Sequence, residues 1–488
     1  MFSHVRRPGS SQEPVRAAAG GHRKAGTAAP PRKTTSRFRR IVGGLATLSL
    51  AVAGCLVAAV PSAGAPSAGA EQEQRYIVVL KDGAVDAGTA AAAQRGSYGV
   101  SVSTVYRDAV NGYAATMTAS AAARVSADPG VDFVTLAREF EKPQEAAAST
   151  QVAPLWWLRI SGSASDDTEP AADADPADVN VAVIDTGIDG SHPDLNVRGG
   201  IDCSTGSPVK VDPTDGVGHG TVVAGVIGAK DNNAGVIGAA PGTPLWSVRV
   251  INDAGVITED MLICAIDWVT ATRNDADPKN DIAVANISIG GPGTETPNCG
   301  KGSDPMHYAI CRSVEAGVVY AVAAGNSGQD IATTVPATYD EVLTATAMGD
   351  FDGKPGGLAA PVCGAEDWTG VGQLDDRPAF FSNFASESGD QAHTLAGPGV
   401  CITSTAPGGY SVANGTSFAS PAVAGSLALC ISKKVCEGSG ADLMSQFLDI
   451  TASYNEENRD FGFEGDPLRP VNGKYYGYLT QIAQYGNK

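Results

Sequence analysis

Positive charge is in short supply in this sequence. Its 488 residues hold 34 Lys and Arg against 53 Asp and Glu, a formal net charge of −19. That balance argues against a nucleic-acid binder, which needs basic surface to displace counterions from phosphates. The 59 glycines and 29 prolines follow no Gly-X-Y period, which excludes a collagen-like rod. No Cys-x-x-Cys spacing is present, so a zinc or thiol-redox motif of that type is absent. After residue 60 no second hydrophobic run is long enough to span a membrane, and the body is expected to be soluble. What is present suffices for a folded protein: 43% of residues are hydrophobic and only 18% charged, and the length points to two or three units.

Charge divides the chain into three parts. Residues 1–70 carry ten basic residues and one acid, residues 71–145 seven and ten, and residues 146–488 seventeen and forty-two. In the first part a low-complexity basic stretch ends at Arg37, Arg39 and Arg40, before an apolar run from Ile41 to Val60 and two Ala-Gly-Ala triplets at 63–65 and 68–70. A basic region, an apolar run and a small-residue cleavage site are the marks of a secretory signal peptide. By length alone the run is also compatible with a membrane anchor. Val52-Ala53-Gly54-Cys55 further resembles a lipobox, which would leave a lipidated Cys55 at a membrane, although apolar residues continue through Val60.

The cysteines agree with export. Apart from Cys55 there are eight, all in the acidic body: Cys203, Cys264, Cys299, Cys311, Cys363, Cys401, Cys430 and Cys436. An even number in an exported chain favours disulfides. Spacing does not settle the connectivity. Proximity favours Cys299–Cys311 and Cys430–Cys436, which leaves Cys363–Cys401 and Cys203–Cys264 as a pairing of the remainder.

In the middle part, Arg75–Leu80 reads as a strand and the Ala-rich stretch 88–95 as a helix. Val105-Tyr106 and Tyr113–Met117 follow as strands, Ser120–Val125 as a short helix, and Val131–Val134 as a closing strand. This β-α-β-β-α-β order predicts a small ferredoxin-like α+β unit. A polar, Ala-rich linker at 141–151 comes next, where a protease could cut. In the body, Val179–Ile184, Leu245–Val250, Ile282–Ile287 and Val318–Ala323 read as buried strands. They alternate with helical stretches at Thr221–Gly228, Ile257–Thr272 and Met306–Ala316. The pattern predicts an α/β fold with a doubly wound, mostly parallel sheet.

Four short segments carry candidate chemistry. An apolar strand ends on Asp185 in Val181-Ala-Val-Ile-Asp185-Thr-Gly, which places a carboxylate at the carboxyl end of a strand, where open α/β sheets bind ligands. Gly218-His219-Gly220-Thr221 opens a small-residue helix on a sterically accessible imidazole. Ala323-Ala324-Gly325-Asn326-Ser327 puts an amide donor at another strand end. Asn414-Gly415-Thr416-Ser417-Phe418-Ala419-Ser420-Pro421 sets Ser417 on a tight turn into a helix, where its N–H and the helix dipole favour a developing oxyanion. Taken singly, each also has an ordinary structural reading, as a turn cap, a structural histidine, a turn residue or a serine near an N-cap.

Together, Asp185, His219, Asn326 and Ser417, with their flanks and in this order, resemble the subtilisin-like serine protease family, the subtilases. Similarity is nearest to the secreted actinobacterial type, and it extends over most of 75–480 because the middle part resembles the family's inhibitory propeptide. The resemblance implies a leader at 1–70, a propeptide at 71–145 and a peptidase domain at 146–488. It implies a triad of Asp185, His219 and Ser417 and an oxyanion hole of Asn326 and the Ser417 N–H. Ser288, Ile289 and Gly290 would pair with an extended substrate backbone. Ala323, Ala324 and Gly325 would wall the primary pocket, with Thr334 near its floor. No acid is placed on that wall, which suggests apolar or broad preference.

The resemblance also supports the Cys363–Cys401 pairing. It further implies a structural Ca²⁺ held by Gln151, Asp194, Asn232 and the carbonyls of Lys230, Ala234 and Val236, in a loop that interrupts the helix after His219. Oxygen ligands of this number suit that ion. The expected partners are protein or peptide substrates and the chain's own propeptide; no nucleic acid and, unless Cys55 is lipidated, no membrane is expected. The expected product is a secreted monomer made as a self-processing zymogen. This sequence departs from the family where Val222 replaces a histidine after Gly-His-Gly-Thr and where Trp157 stands in place of a small residue. The insertion 351–378 has no assigned role beyond its cysteine. A catalytically silent surface binding module is the alternative. An α/β-hydrolase esterase is disfavoured, because Ser417 lacks a Gly-x-Ser-x-Gly elbow and the triad order differs.

Overall fold

Alternation along a single strand explains how the N-terminal part is built. In Glu73–Leu80, Ile77 and Val79 bury on one side while Val78 and Leu80 bury on the other. A strand that is apolar on both faces must be covered on both. One cover is its own pair of helices, Ala87–Tyr98 and Ala119–Ser126, which pack on Val78, Leu80, Tyr113 and Met117. The other is the body of the protein. The sheet is antiparallel, with Glu73–Leu80 between Gly112–Thr118 and Val131–Leu136 and with Ser101–Tyr106 outside Gly112–Thr118. Asp86 and Thr118 cap the two helices by accepting backbone N–H groups. The expected ferredoxin-like order is therefore present.

This computed structural model describes residues 71–140, 154–162, 176–357 and 359–485, with the backbone alone at 365–367. The leader with its signal peptide and Cys55, the 141–151 linker and Gln151 lie outside the described residues.

The body is organised around one sheet. From edge to edge it runs Tyr478–Leu479, Thr394–Val400, Val342–Gly349, Val319–Ala323, Ile282–Ile287, Asn180–Asp185, Leu245–Arg249, Val197–Asp202 and Val209–Lys210. Pairing is parallel except for Val209–Lys210 and a short Arg377–Pro378 strand beside Val342–Gly349. Val181 and Val183 join the core under the helices His219–Gly228 and Thr416–Ser432, whereas Ala182 and Ile184 join that under Glu259–Asn274 and Pro305–Glu315. The fold is thus α/β, doubly wound, with helices on both faces. Asn180–Asp185 has neighbours that follow it in sequence on either side, so Asp185 ends at the topological switch point.

Ile77, Val79, Tyr106, Phe133 and Phe140 of the N-terminal part share a core with Met261, Ile263 and Met306 of the body, so the two parts pack as one unit. Disulfides join Cys203–Cys264, Cys299–Cys311, Cys363–Cys401 and Cys430–Cys436. Two local expectations are corrected. The helix read at Ile257–Thr272 begins at Glu259, because Ile257 and Thr258 pair as a strand with Phe140 and Glu139. The helix after His219 is not interrupted by 230–236; it ends at Gly228, and the loop leads to the strand Leu245–Arg249. Among the described residues no helix is long and apolar enough to cross a membrane.

Candidate active site

Asp185 is fully buried at the end of its strand, and its Oδ1 accepts hydrogen bonds from His219 Nδ1 at 2.8 Å and from the Thr186 N–H at 2.7 Å. The start of the helix that carries His219 is held by a carboxylate that the sequence reading missed. Asp215 accepts from the N–H groups of Val217, Gly218 and Thr221, and from the hydroxyls of Thr186 and Thr221. It thereby anchors the N-terminus of the His219 helix, where a negative charge is favoured by the helix dipole. Thr186 Oγ1 in turn accepts the Gly220 N–H at 2.9 Å. Gly220 is required for close approach, since a Cβ there would lie 2.0 Å from the Gly187 carbonyl oxygen. Phe418 packs against the imidazole, with ring centroids 5.1 Å apart.

Ser417 is the second residue of the helix Thr416–Ser432, entered through Gly415 at φ 146°, a value that favours glycine. Its N–H has no intrahelical acceptor, as expected for the first turn. Pro421 sits four residues on and has no N–H to donate to the Ser417 carbonyl. That carbonyl accepts from Ser288 Oγ at 2.7 Å instead, and Asn286 Nδ2 donates to Ser288 Oγ at 2.9 Å. Ser420 Oγ donates to Asn286 Oδ1 at 2.7 Å. The serine helix is therefore tied to the strand Ile282–Ile287 by a chain of side chains. The Ser417 hydroxyl itself donates to the Ser288 carbonyl at 3.3 Å.

Asn326 is oriented by Thr416, whose N–H and hydroxyl both donate to Asn326 Oδ1 at 2.9 Å. With its carbonyl end occupied, the amide Nδ2 is the end available to a ligand. A cleft of about 510 Å³ brings these groups together, lined by His219, Ser417, Asn326, Ser288, Ile289 and Gly290, with Ala323, Gly325 and Thr334 deeper in. Ala324 does not line it, a correction to the expectation. Its side chain is buried, and its carbonyl accepts from Asn383 Nδ2 at 2.9 Å. Asn383, also missed from sequence, lines the cleft beside Thr334 and accepts the N–H groups of Ser327 and Gln329. The described residues that line the cleft include no Asp or Glu. Val222, in place of the histidine usual in the family, faces a second hollow of about 440 Å³ on the other side of His219.

Asp194, just before the strand Val197–Asp202, is buried against the loop 230–236 expected to bind calcium. Its carboxylate accepts from the Val236 N–H at 3.0 Å and Asn232 Nδ2 at 3.2 Å, and Tyr410 donates its hydroxyl. All three donors are neutral, and burial pushes the Asp194 pKa above its ordinary value. A desolvated carboxylate whose donors carry no charge fits a hard cation; Asn232 turns its Nδ2 towards it, while its Oδ1 accepts the Ala234 N–H at 3.0 Å. A separate group of carboxylates, Asp350, Asp352 and Asp375, converges within 4.8 Å and could also hold a metal ion. There the charge is already opposed by Arg159, which lies buried against Asp350 and Asp376 at 3.0 and 2.9 Å. The insertion 351–378 thus wraps a buried arginine and carries the Cys363–Cys401 bridge.

A strand-end aspartate holding a histidine, a serine at a helix mouth and an oriented asparagine amide on one cleft define a hydrolase-like site on a doubly wound sheet. Comparison with known proteins makes this specific. The subtilase family matches residues 177–463, and the peptidase inhibitor I9 family matches residues 75–141. Subtilisin E from Bacillus subtilis is 34% identical over 332 residues, 66% of this chain and 71% of the relative. Subtilisin from Bacillus pumilus is 37% identical over 262 residues, 53% of this chain and 78% of the relative. The epidermin leader peptide processing serine protease from Staphylococcus aureus, solved in a mutant form, shares the fold with a TM-score of 0.61 at 20% identity, covering 86% of this chain and 100% of that one. The chain belongs to the subtilase family: it is a serine endopeptidase that carries an inhibitor-type propeptide domain, the organisation of a zymogen.

Proposed function

We propose that this zymogen is exported, removes its own propeptide, and hydrolyses peptide bonds through an acyl-enzyme formed on Ser417. The observation that carries the reading is the buried 2.8 Å contact between Asp185 and His219, opening on the cleft that Ser417 and Asn326 share. A serine hydroxyl needs an adjacent base to become a nucleophile. The Ser417 hydroxyl turns from the Ser288 carbonyl towards His219 Nε2, gives up its proton there, and Oγ bonds to the scissile carbonyl carbon. Asp185 keeps the proton on Nδ1 and stabilises the imidazolium. Asn326 Nδ2 and the Ser417 N–H donate to the oxyanion. When the tetrahedral species collapses, the C–N bond breaks and His219 returns the proton to the leaving amine. Water then repeats the sequence on the ester and regenerates Ser417.

Ser288–Gly290 pairs with the substrate as an added strand, and Ala323 and Gly325 flank a primary pocket that closes on Thr334 and Asn383 and suits uncharged side chains. The body from 146 acts as the peptidase, and the segment 71–145 as its inhibitor. A structural Ca²⁺ would be held by Asp194, Asn232, the carbonyls of Lys230, Ala234 and Val236, and Gln151, and would tie the loop at 230–236 to the residues around it. The basic leader and the four disulfides support an extracellular product. A fluorophosphonate probe tests the reading. It should label Ser417, identified by mass spectrometry, in the processed parent but not in His219→Ala. Labelling of another serine, or none in folded parent protein, would sink the assignment.

A further inference from the structure

The end of the N-terminal part enters the body through an arginine rather than through apolar contact alone. Arg138 Nη2 lies 2.6 Å from Glu259 Oε1, 2.8 Å from Asp304 Oδ1 and 3.1 Å from the Tyr339 hydroxyl oxygen. The backbone of the same residue is gripped too. Its N–H donates to Glu259 Oε2 at 3.0 Å, and its carbonyl accepts the Glu259 N–H at 2.8 Å. Two residues on, Phe140 pairs with Ile257 and lays its ring on Gly291, where a Cβ would come within 2.8 Å of it. Gly291 lines the catalytic cleft. The segment 138–140, which ends in the strand Glu139–Phe140, therefore leads from the arginine pocket to the margin of the cleft.

The residues that grip Arg138 all belong to the body. Glu259 is the first residue of one helix, and Asp304 is the N-cap of another, where Oδ1 also accepts the His307 N–H at 3.0 Å. Tyr339 donates to Asp304 Oδ2 at 2.8 Å and stacks on buried His307 with centroids 4.1 Å apart. Gly293 leaves the space for the guanidinium, since a Cβ there would lie 2.7 Å from Arg138 Nη1. With the propeptide in place Glu259 and Asp304 are 1% and 5% exposed. Once it leaves, two carboxylates face one space, with Asp304 still held by the Tyr339 hydroxyl and the His307 N–H. A planar cation with several donors satisfies both, whereas a neutral side chain leaves them unpaired.

We propose that this pocket is a guanidinium-selective subsite of the protease, which selects extended substrates and inhibitors bearing arginine two residues before a large apolar residue, on the amino side of the cleaved bond. The inference rests on the endopeptidase reading above, because it is the propeptide's position ahead of the processing site that assigns the side.

The test uses processed parent enzyme, fluorescent casein and synthetic peptides of sequence 136–153, with arginine, lysine or glutamine at position 138. The readout is the concentration of each peptide that halves casein cleavage, which reports binding whether or not the peptide is itself cut. The arginine peptide should act at a concentration at least about tenfold below the glutamine peptide, with lysine between them. In Glu259→Gln the arginine-to-glutamine ratio should fall towards one. That variant also loses a propeptide contact needed before maturation, so the comparison of peptides on the parent enzyme is made to decide without it. Equal potency of the arginine and glutamine peptides, or no inhibition by either, overturns the subsite while leaving the protease reading intact. Failure to cleave casein at all overturns the protease reading instead.

Discussion

Asp185→Asn removes one charge from a site whose partners are all fixed, so its effect can be worked from the geometry. Asp185 Oδ1 accepts from both His219 Nδ1 and the Thr186 N–H, and Oδ2 is buried without a hydrogen-bond partner among the described residues. Asparagine has two ways to sit there, and both are poor. With its carbonyl at the Oδ1 position it keeps both bonds, but its NH₂ takes the dry Oδ2 position and the imidazolium loses its counter-charge. Flipped, its NH₂ meets the Thr186 N–H and forces His219 to carry its proton on Nε2, where it cannot accept the Ser417 proton. A unit charge about 4 Å from the developing cation contributes about 4 kcal/mol at an effective dielectric near 20. At about 1.4 kcal/mol per decade that is about a thousandfold, and the tautomer penalty takes the expectation to about 10³–10⁴ in rate. The assay is first-order release of the propeptide after refolding of residues 71–488. The parent and the variant should show the same circular dichroism and the same melting temperature. Processing of the variant within tenfold of the parent, or a loss of rate that tracks a loss of fold, would refute the reasoning.

Asn326→Leu should lower kcat by about 10²–10³ with the fold intact, because it removes one oxyanion donor. Thr416→Val, which releases Asn326 Oδ1 from its hydroxyl donor, should lower kcat while KM stays near the parent value; a change in KM alone would contradict a positioning role. EDTA should lower the melting temperature of the Ser417→Ala protein by about 3–4 °C, the shift expected for an ion held near a hundred times its Kd in a chain of this size, and should have little effect on Asp194→Asn. Burial, opposed by Arg159, pushes the Asp350 pKa up to about 8. The folded state then binds the extra proton, so this carboxyl takes stability away as pH rises from about 4 towards 8. Urea melts of Asp350→Asn against parent, both in the Ser417→Ala background, should show the variant gaining relative stability over that range; a constant difference would contradict the assignment.

The site was legible in the sequence where its chemistry sits in short local strings. Val181–Asp185, Gly218–Thr221 and Asn414–Pro421 each couple a reactive residue to the glycines and apolar runs that position it. The N-terminal unit was legible because its strands and helices alternate in simple periods. Less legible was everything decided by long-range packing. Val342–Gly349 and Thr394–Val400 are interior strands, yet Gly397, Pro398 and Gly399 disguise the second as a turn; Pro398 is tolerated beside Met348 where the register shifts. Asp215 and Asn383 act through partners that only the fold brings near, and nothing in their own flanks marks them; Thr416 stands in a marked string, but its bond to Asn326 spans 90 residues. Arg138 drew no reading at all, because Glu259, Asp304 and Tyr339 lie more than a hundred residues away. Ala324 departs from expectation for the opposite reason: it sits in the right string, but just past the end of the strand Val319–Ala323 its side chain is buried and its carbonyl is tied to Asn383.

The central claim is that Ser417, served by His219, cuts the chain's own linker and then other proteins. The most direct measurement is to express residues 71–488 under oxidising conditions beside Ser417→Ala and follow band pattern and casein cleavage. The account predicts that the parent sheds a fragment of about 75–80 residues, as the linker position requires, and degrades casein, while the folded variant stays full-length and inert. A variant that still processes itself, or a folded parent that does neither, would contradict it.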